Sequence, residues 1–175
     1  MRKNNNWILN MTILGFFITI LFSTISNIVL SDLNIIFGII IIFIFIFVGV
    51  VFDMIGVAVA SSSCSVFNSM ASKKVNNSKL AIKIVRDSPR VASFCNDVIG
   101  DICNIMSGSA GLVVAINIAN KYEVRTSIVI LLVASVIAAL TIGGKAYGKE
   151  MAIKNSDKIV FRSARILNML KRYIK

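Results

Sequence analysis

The chain has 175 residues, 57% of them hydrophobic, a formal net charge of +11 and a mean hydropathy of +0.83. That apolar content exceeds what a soluble domain of this length buries, so the class is integral membrane protein. There is no histidine, and Cys64, Cys95 and Cys103 form no C-x-x-C pair, which removes the parts for a zinc site, a histidine base or a disulfide framework.

Arg2 and Lys3 precede an apolar run from Trp7 to Leu30, long enough to span, since about 20 residues cross the hydrocarbon. The run is longer than a signal-peptide core and no small-x-small cleavage site follows, so it is expected to stay as an anchor. With the polar turn Ser31 to Asn34 it forms an N-terminal segment, 1–34. Ile35 to Ala60 is apolar at nearly every position except Asp53, as in a span that meets lipid or protein on all sides.

Residues 61–90 change character, with Lys73, Lys74, Lys79, Lys83, Arg86 and Arg90 against Asp87, and read as a basic cytoplasmic connection. Asn76, Asn77 and Ser78 are candidate caps for a short helix whose apolar face, Leu80, Ala81, Ile84 and Val85, opposes Lys79, Lys83 and Arg86. Such a helix suits the membrane interface. Ser88 and Pro89, the single proline, predict the next helix start, with serine as cap.

The following span carries the most unusual stretch, Asn96 to Gly111. On an α-helix Asp97, Gly100, Asp101, Asn104, Gly108 and Gly111 would share one face. An Asp at the bilayer centre costs about 2.5–3.5 kcal/mol on insertion scales, so this face should turn into a bundle and mark an ion path, a proton relay or a buried pair. Gly100, Gly108 and Gly111 also make small-xxx-small steps that suit close helix packing. A short loop, Asn120 to Arg125, precedes the last span, Thr126 to Ile142, closed or broken at Gly143 and Gly144.

Four spans are therefore expected. The basic residues divide as two at the N-terminus, six in the connection and nine from Lys145 onward on one side, with Lys121 and Arg125 on the other. The positive-inside rule then puts both termini in the cytoplasm of a multi-pass plasma-membrane protein. The tail 156–175 is predicted to be an amphipathic helix, with Lys158, Arg162, Arg165 and Arg172 opposite an apolar face. Attraction to anionic lipid headgroups explains this basic charge better than a nucleic-acid partner does, because it flanks hydrophobic segments.

The order of these pieces resembles a known domain. A span, a small-residue turn, the connection M-A-S-K-K-V-N-N-S-K-L-A-I-K-I-V, a D-S-P-R start, a span with N-I-M-S-G-S-A, and a last span closing in G-G-K-A-Y-G-K-E-M-A-I-K-N-S-D-K-I-V are similar to the transmembrane domain of the CorB/CorC and cyclin M (CNNM) magnesium transport proteins. The resemblance covers about Val51 to Lys171. Lys149, Ala152 and Asn155 fit the family pattern G-E-x-L-P-K-x-x-A-x-x-N. It implies an all-α, polytopic, homodimeric bundle over 35–155 whose three core helices hold a magnesium ion, Mg2+, for transport. The regulatory CBS domains of the family are expected to be missing here.

The resemblance carries the family's metal-site serine onto Asp53, its two asparagines onto Gly100 and Asn104, and its glutamate onto Lys145. Two readings of the site remain open. Asp53, Asp97, Asp101 and Asn104 can supply the oxygen shell that magnesium demands. Alternatively the Lys145 ammonium replaces the ion, held by Asp101 or Asp53 as a buried pair. The first makes the chain a cation transport domain, the second a non-transporting scaffold or accessory subunit. A third, holin-like, membrane-perturbing reading fits the ordered charge asymmetry less well. Paired aspartates without a nucleophile or phosphate loop give little support to an enzyme.

Overall fold

The computed structural model describes residue 9, residues 11–21, 23, 24 and 35–173. Parts of the expected first span, among them residues 25–30, its Ser31–Asn34 turn and the last two residues lie outside these. Among the described residues the protein is all helix with no strand. A short apolar helix, α1 (Met11–Leu21), is followed by α2 (Ile35–Ser61), α3 (Cys64–Ser72), α4 (Ser78–Arg86) and α5 (Ser88–Ser93). A π-helical turn, Phe94–Gly100, leads into α6 (Asp101–Tyr122), then α7 (Thr126–Lys154) and α8 (Ser156–Tyr173). Three helices are long and apolar enough to cross a membrane: α2, the continuous run Ser88–Tyr122, and α7.

Helix ends follow local chemistry, with two departures from expectation. Ser63 caps α3, its side chain accepting from the Ser65 N–H at 3.3 Å. Asp87, not Ser88, holds the cap position of α5, which places Ser88 and Pro89 in the first turn, where a missing N–H goes unnoticed. Glu123, at φ 53°, turns the chain out of α6 in the left-handed conformation that ends helices. Gly143 and Gly144 neither end nor break α7, which runs on to Lys154. A glycine inside a helix costs only about 1 kcal/mol, and that helix has 29 residues of hydrogen bonding to absorb it.

The chain gathers into two compact units, 1–49 with 98–144, and 50–97 with 145–175. In the first, parts of α2, α6 and α7 pack through small residues. A Cβ built on Gly49 would stand 3.1 Å from Cys103 Cβ, and one on Gly111 would meet Ile137. Met106, Ala110, Val114 and Ala115 are buried, whereas Phe43, Phe47, Leu131 and Val136 are exposed, an outer surface suited to hydrocarbon.

The second unit has its own core: Ala58 and Val59 from α2, Phe67 from α3, Ala81 and Val85 from α4, Ala152 from α7, and Val160 and Ala164 from α8. The amphipathic face foreseen on α4 exists, and protein from α3 and α8 covers it, with Lys79, Lys83 and Arg86 left exposed. Phe67 is fully buried at the centre of this unit. Truncating Phe67→Ala should destabilise the purified protein by about 3–5 kcal/mol, while Phe47→Ala, 70% exposed, should change its thermal unfolding little.

Candidate functional site

The candidate site lies in the second unit and is built on Asp53. Its residue is 5% exposed in a helix that is otherwise apolar, and one carboxylate oxygen, Oδ2, is buried without a hydrogen-bond partner. A second buried acceptor is Oδ1 of Asn96, also without a partner. Asn96 sits within the π-helical turn. The i→i+5 bonding of such turns re-aims side chains, and they recur at functional positions.

Gly56, one turn after Asp53 on the same face of α2, explains how the two elements come close. A Cβ there would run into Asn96 Oδ1, stand 2.7 Å from Asn96 Cγ and 3.1 Å from the Ala92 carbonyl oxygen. Only bare backbone fits. Gly148 plays the same part where α7 meets α2: a Cβ there would lie 2.7 Å from Met54 Cγ and 3.3 Å from Val50 Cγ1. That approach brings the next residue, Lys149, within reach, with Nζ 4.0 Å from Asp53 Oδ2.

At 4.0 Å the pair is electrostatic and too long for a hydrogen bond. The lysine side chain is 54% exposed and the aspartate side chain 7%. One partner therefore sits in a fixed, dry position and the other on a flexible stem that reaches solvent. A buried carboxylate oxygen with no donor, beside a displaceable ammonium, is an acceptor that a cation or a proton donor completes. An unsatisfied buried acceptor costs about 1–3 kcal/mol.

The other sequence-derived residues lie as follows. Asp97 is exposed and accepts from Ser93 Oγ at 2.7 Å. Asp101 is exposed in the first turn of α6. Asn104 lines a mostly apolar cavity of about 400 Å3 between α6 and α7, with Ser107, Gly108, Gly111 and Thr141, whose Oγ1 is buried without a hydrogen-bond partner. Gly100 and Gly111 are buried, and Gly108 faces open space. Lys145 is half-buried, and the ion pairs among the described residues are Lys149 with Asp53 and Lys154 with Glu150. No cluster of three or more Cys, Asp or Glu side chains able to hold a metal occurs among the described residues.

The single interior face expected along Asn96–Gly111 assumed one uninterrupted α-helix. The π turn separates Asp97 from this register, and the buried line in α6 runs through Cys103, Met106, Ser107, Ala110, Gly111 and Val114, so Gly111 belongs to it while Asp101 and Gly108 are exposed. The sequence alone does not single out Asn96, Gly56 or Lys149 as site residues. A glycine one turn after a lone acid in an all-apolar helix is a sequence signal for Gly56, and it carries no information on Asn96 or Lys149. Comparison with protein-family models, with curated proteins and with solved structures finds no match.

Gly56→Ala should destabilise the protein by about 1–3 kcal/mol, because it forces the π turn away from α2. Adding Asn96→Ala should recover part of that loss by removing the amide in the way. A thermal-unfolding double-mutant cycle measures the coupling.

Proposed function

We propose that this chain is a multi-pass membrane protein that conducts or exchanges a cation, Mg2+ being the candidate substrate, in the manner of the CorC/CNNM transport domains its sequence resembles. The observation that carries the reading is the buried Asp53 carboxylate oxygen without a hydrogen-bond partner, with a second unpartnered oxygen, Asn96 Oδ1, packed against Gly56 one turn along α2. Oxygen donors of this kind suit a hard cation that keeps part of its water shell. The proposal keeps Asp97, Asp101 and Asn104 as the further oxygen donors that the sequence offers a cation. The proposal includes four spans, both termini in the cytoplasm, residence in the plasma membrane, anionic lipid at the basic segments, and a homodimer. The charge distribution supports the orientation.

A second reading, a scaffold or accessory subunit that does not transport, draws on one observation: an ammonium already stands beside the carboxylate. The lysine in that place is Lys149. In this reading Lys149 neutralises Asp53 permanently. In the transport reading it yields to the incoming ion.

Magnesium flux into proteoliposomes, with binding followed by calorimetry, separates the two. Transport predicts that Asp53→Asn lowers flux and affinity by about tenfold or more, and that Lys149→Gln tightens binding by removing a competing charge. Flux unchanged by Asp53→Asn would exclude the transport reading. Binding absent in the native chain and gained in Lys149→Gln would establish the scaffold.

A further inference from the structure

The turn between α3 and α4 and the outer face of α8 flank an open cleft of about 400 Å3, lined by Asn76, Asn77, Arg165, Asn168 and Met169. Asn77 occupies the cap position of α4 in the left-handed conformation, φ 72°, yet its side chain makes no capping bond. Its Oδ1 instead accepts from Asn168 Nδ2 at 2.6 Å, from a residue 91 positions along the chain. An asparagine at a helix start ordinarily uses that oxygen for its own first turn. Here the oxygen is spent on α8, which fixes the two amides against each other.

The chemistry that results is rich in donors. With Asn77 Oδ1 engaged, the Nδ2 hydrogens of Asn77 and the second hydrogen of Asn168 remain for an outside acceptor. The Arg165 guanidinium lies 5.6 Å from the Phe161 ring centroid, a stacking contact that orients its plane while its N–H edge stays available. No carboxylate lines the cavity. Exposed Lys73 and Lys74, at the end of α3, add positive charge on the same turn. Planar, multi-donor recognition of this kind matches a tetrahedral oxyanion.

We propose that this cavity binds a phosphate group, with Arg165 as the charged partner and Asn77, Asn168 and Asn76 as neutral donors. Its volume exceeds that of inorganic phosphate and suits a phosphate carried on a larger molecule. Met169, 57% exposed, and Leu170, 53% exposed, offer an apolar flank for the remainder of a lipid headgroup. The inference uses no residue of the Asp53 site, so it stands or falls separately from cation transport.

The test titrates the detergent-solubilised full chain with dioctanoyl phosphatidic acid, and separately with inorganic phosphate, reading bound mass by native mass spectrometry. The expected result is one saturable phosphatidic acid per chain, weakened about tenfold in Arg165→Gln and little changed in Arg162→Gln, which removes the same charge one turn away. Asn168→Asp keeps the side-chain size, allows Asn77 to donate in return, and places a carboxylate in the cavity, so it should likewise weaken binding by about tenfold or more, which keeps the test independent of how Arg165→Gln folds. Competition by millimolar inorganic phosphate would assign the site to phosphate itself. Binding of the lipid without such competition would assign it to a headgroup. No saturable binding of either probe, or equal weakening by Arg165→Gln and Arg162→Gln, would overturn the proposal.

Discussion

A carboxylate buried in an apolar helix has to be accommodated by everything around it, and Asp53 sets that constraint here. Its Oδ2 has one charged neighbour, Lys149, at 4.0 Å and no hydrogen bond. The elements nearby are shaped to leave this pair and the Asn96 amide room: Gly56 strips α2 to backbone beneath the π turn, and Gly148 lets α7 close on Met54 and Val50. A purely structural ion pair would gain from a short, hydrogen-bonded geometry, since the gain must offset desolvation of both charges. The longer pair, with its cation on a solvent-reaching stem, is a geometry that exchanges partners readily.

The lengths of the spans give the site its setting. At about 1.5 Å per residue, the 27 residues of α2 and the 29 of α7 reach about 40 Å, beyond a hydrocarbon core of about 30 Å. The excess turns are not idle. The C-terminal parts of both helices enter the core of the second unit through Ala58, Val59 and Ala152, alongside α3, α4 and α8. Asp53 thus belongs to a unit with a protein core of its own, where a polar group finds fixed neighbours rather than lipid.

Much of the helical order was legible in the sequence. All-round apolarity placed α2 within a residue of its observed end, and the charge break at Ser61, the polar loop near Glu123 and the amphipathic tail each marked a boundary. The Asn77 cap position was legible as well, though not the partner that its side chain takes. Two things were hidden. Hydropathy reports where a span leaves hydrocarbon, whereas the helix persists as long as its backbone bonds do, so α7 continues through Gly143 and Gly144. A π turn leaves no periodic signature in a stretch as mixed as Asn96–Gly111, yet it changes which side chains face inward. Asp53 was visible because an acid in an apolar span is conspicuous. Lys149 was not, because its choice over Lys145 depends on the close approach at Gly148.

The central claim, that the Asp53 carboxylate is the group a cation meets, is tested most directly by infrared difference spectroscopy of the reconstituted protein on adding Mg2+. The account predicts a shift of a carboxylate stretching band that disappears in Asp53→Asn and persists in Asp87→Asn, whose carboxylate is exposed and outside the proposed site. A carboxylate difference spectrum unaltered by Asp53→Asn, or none at all on adding the ion, would contradict it.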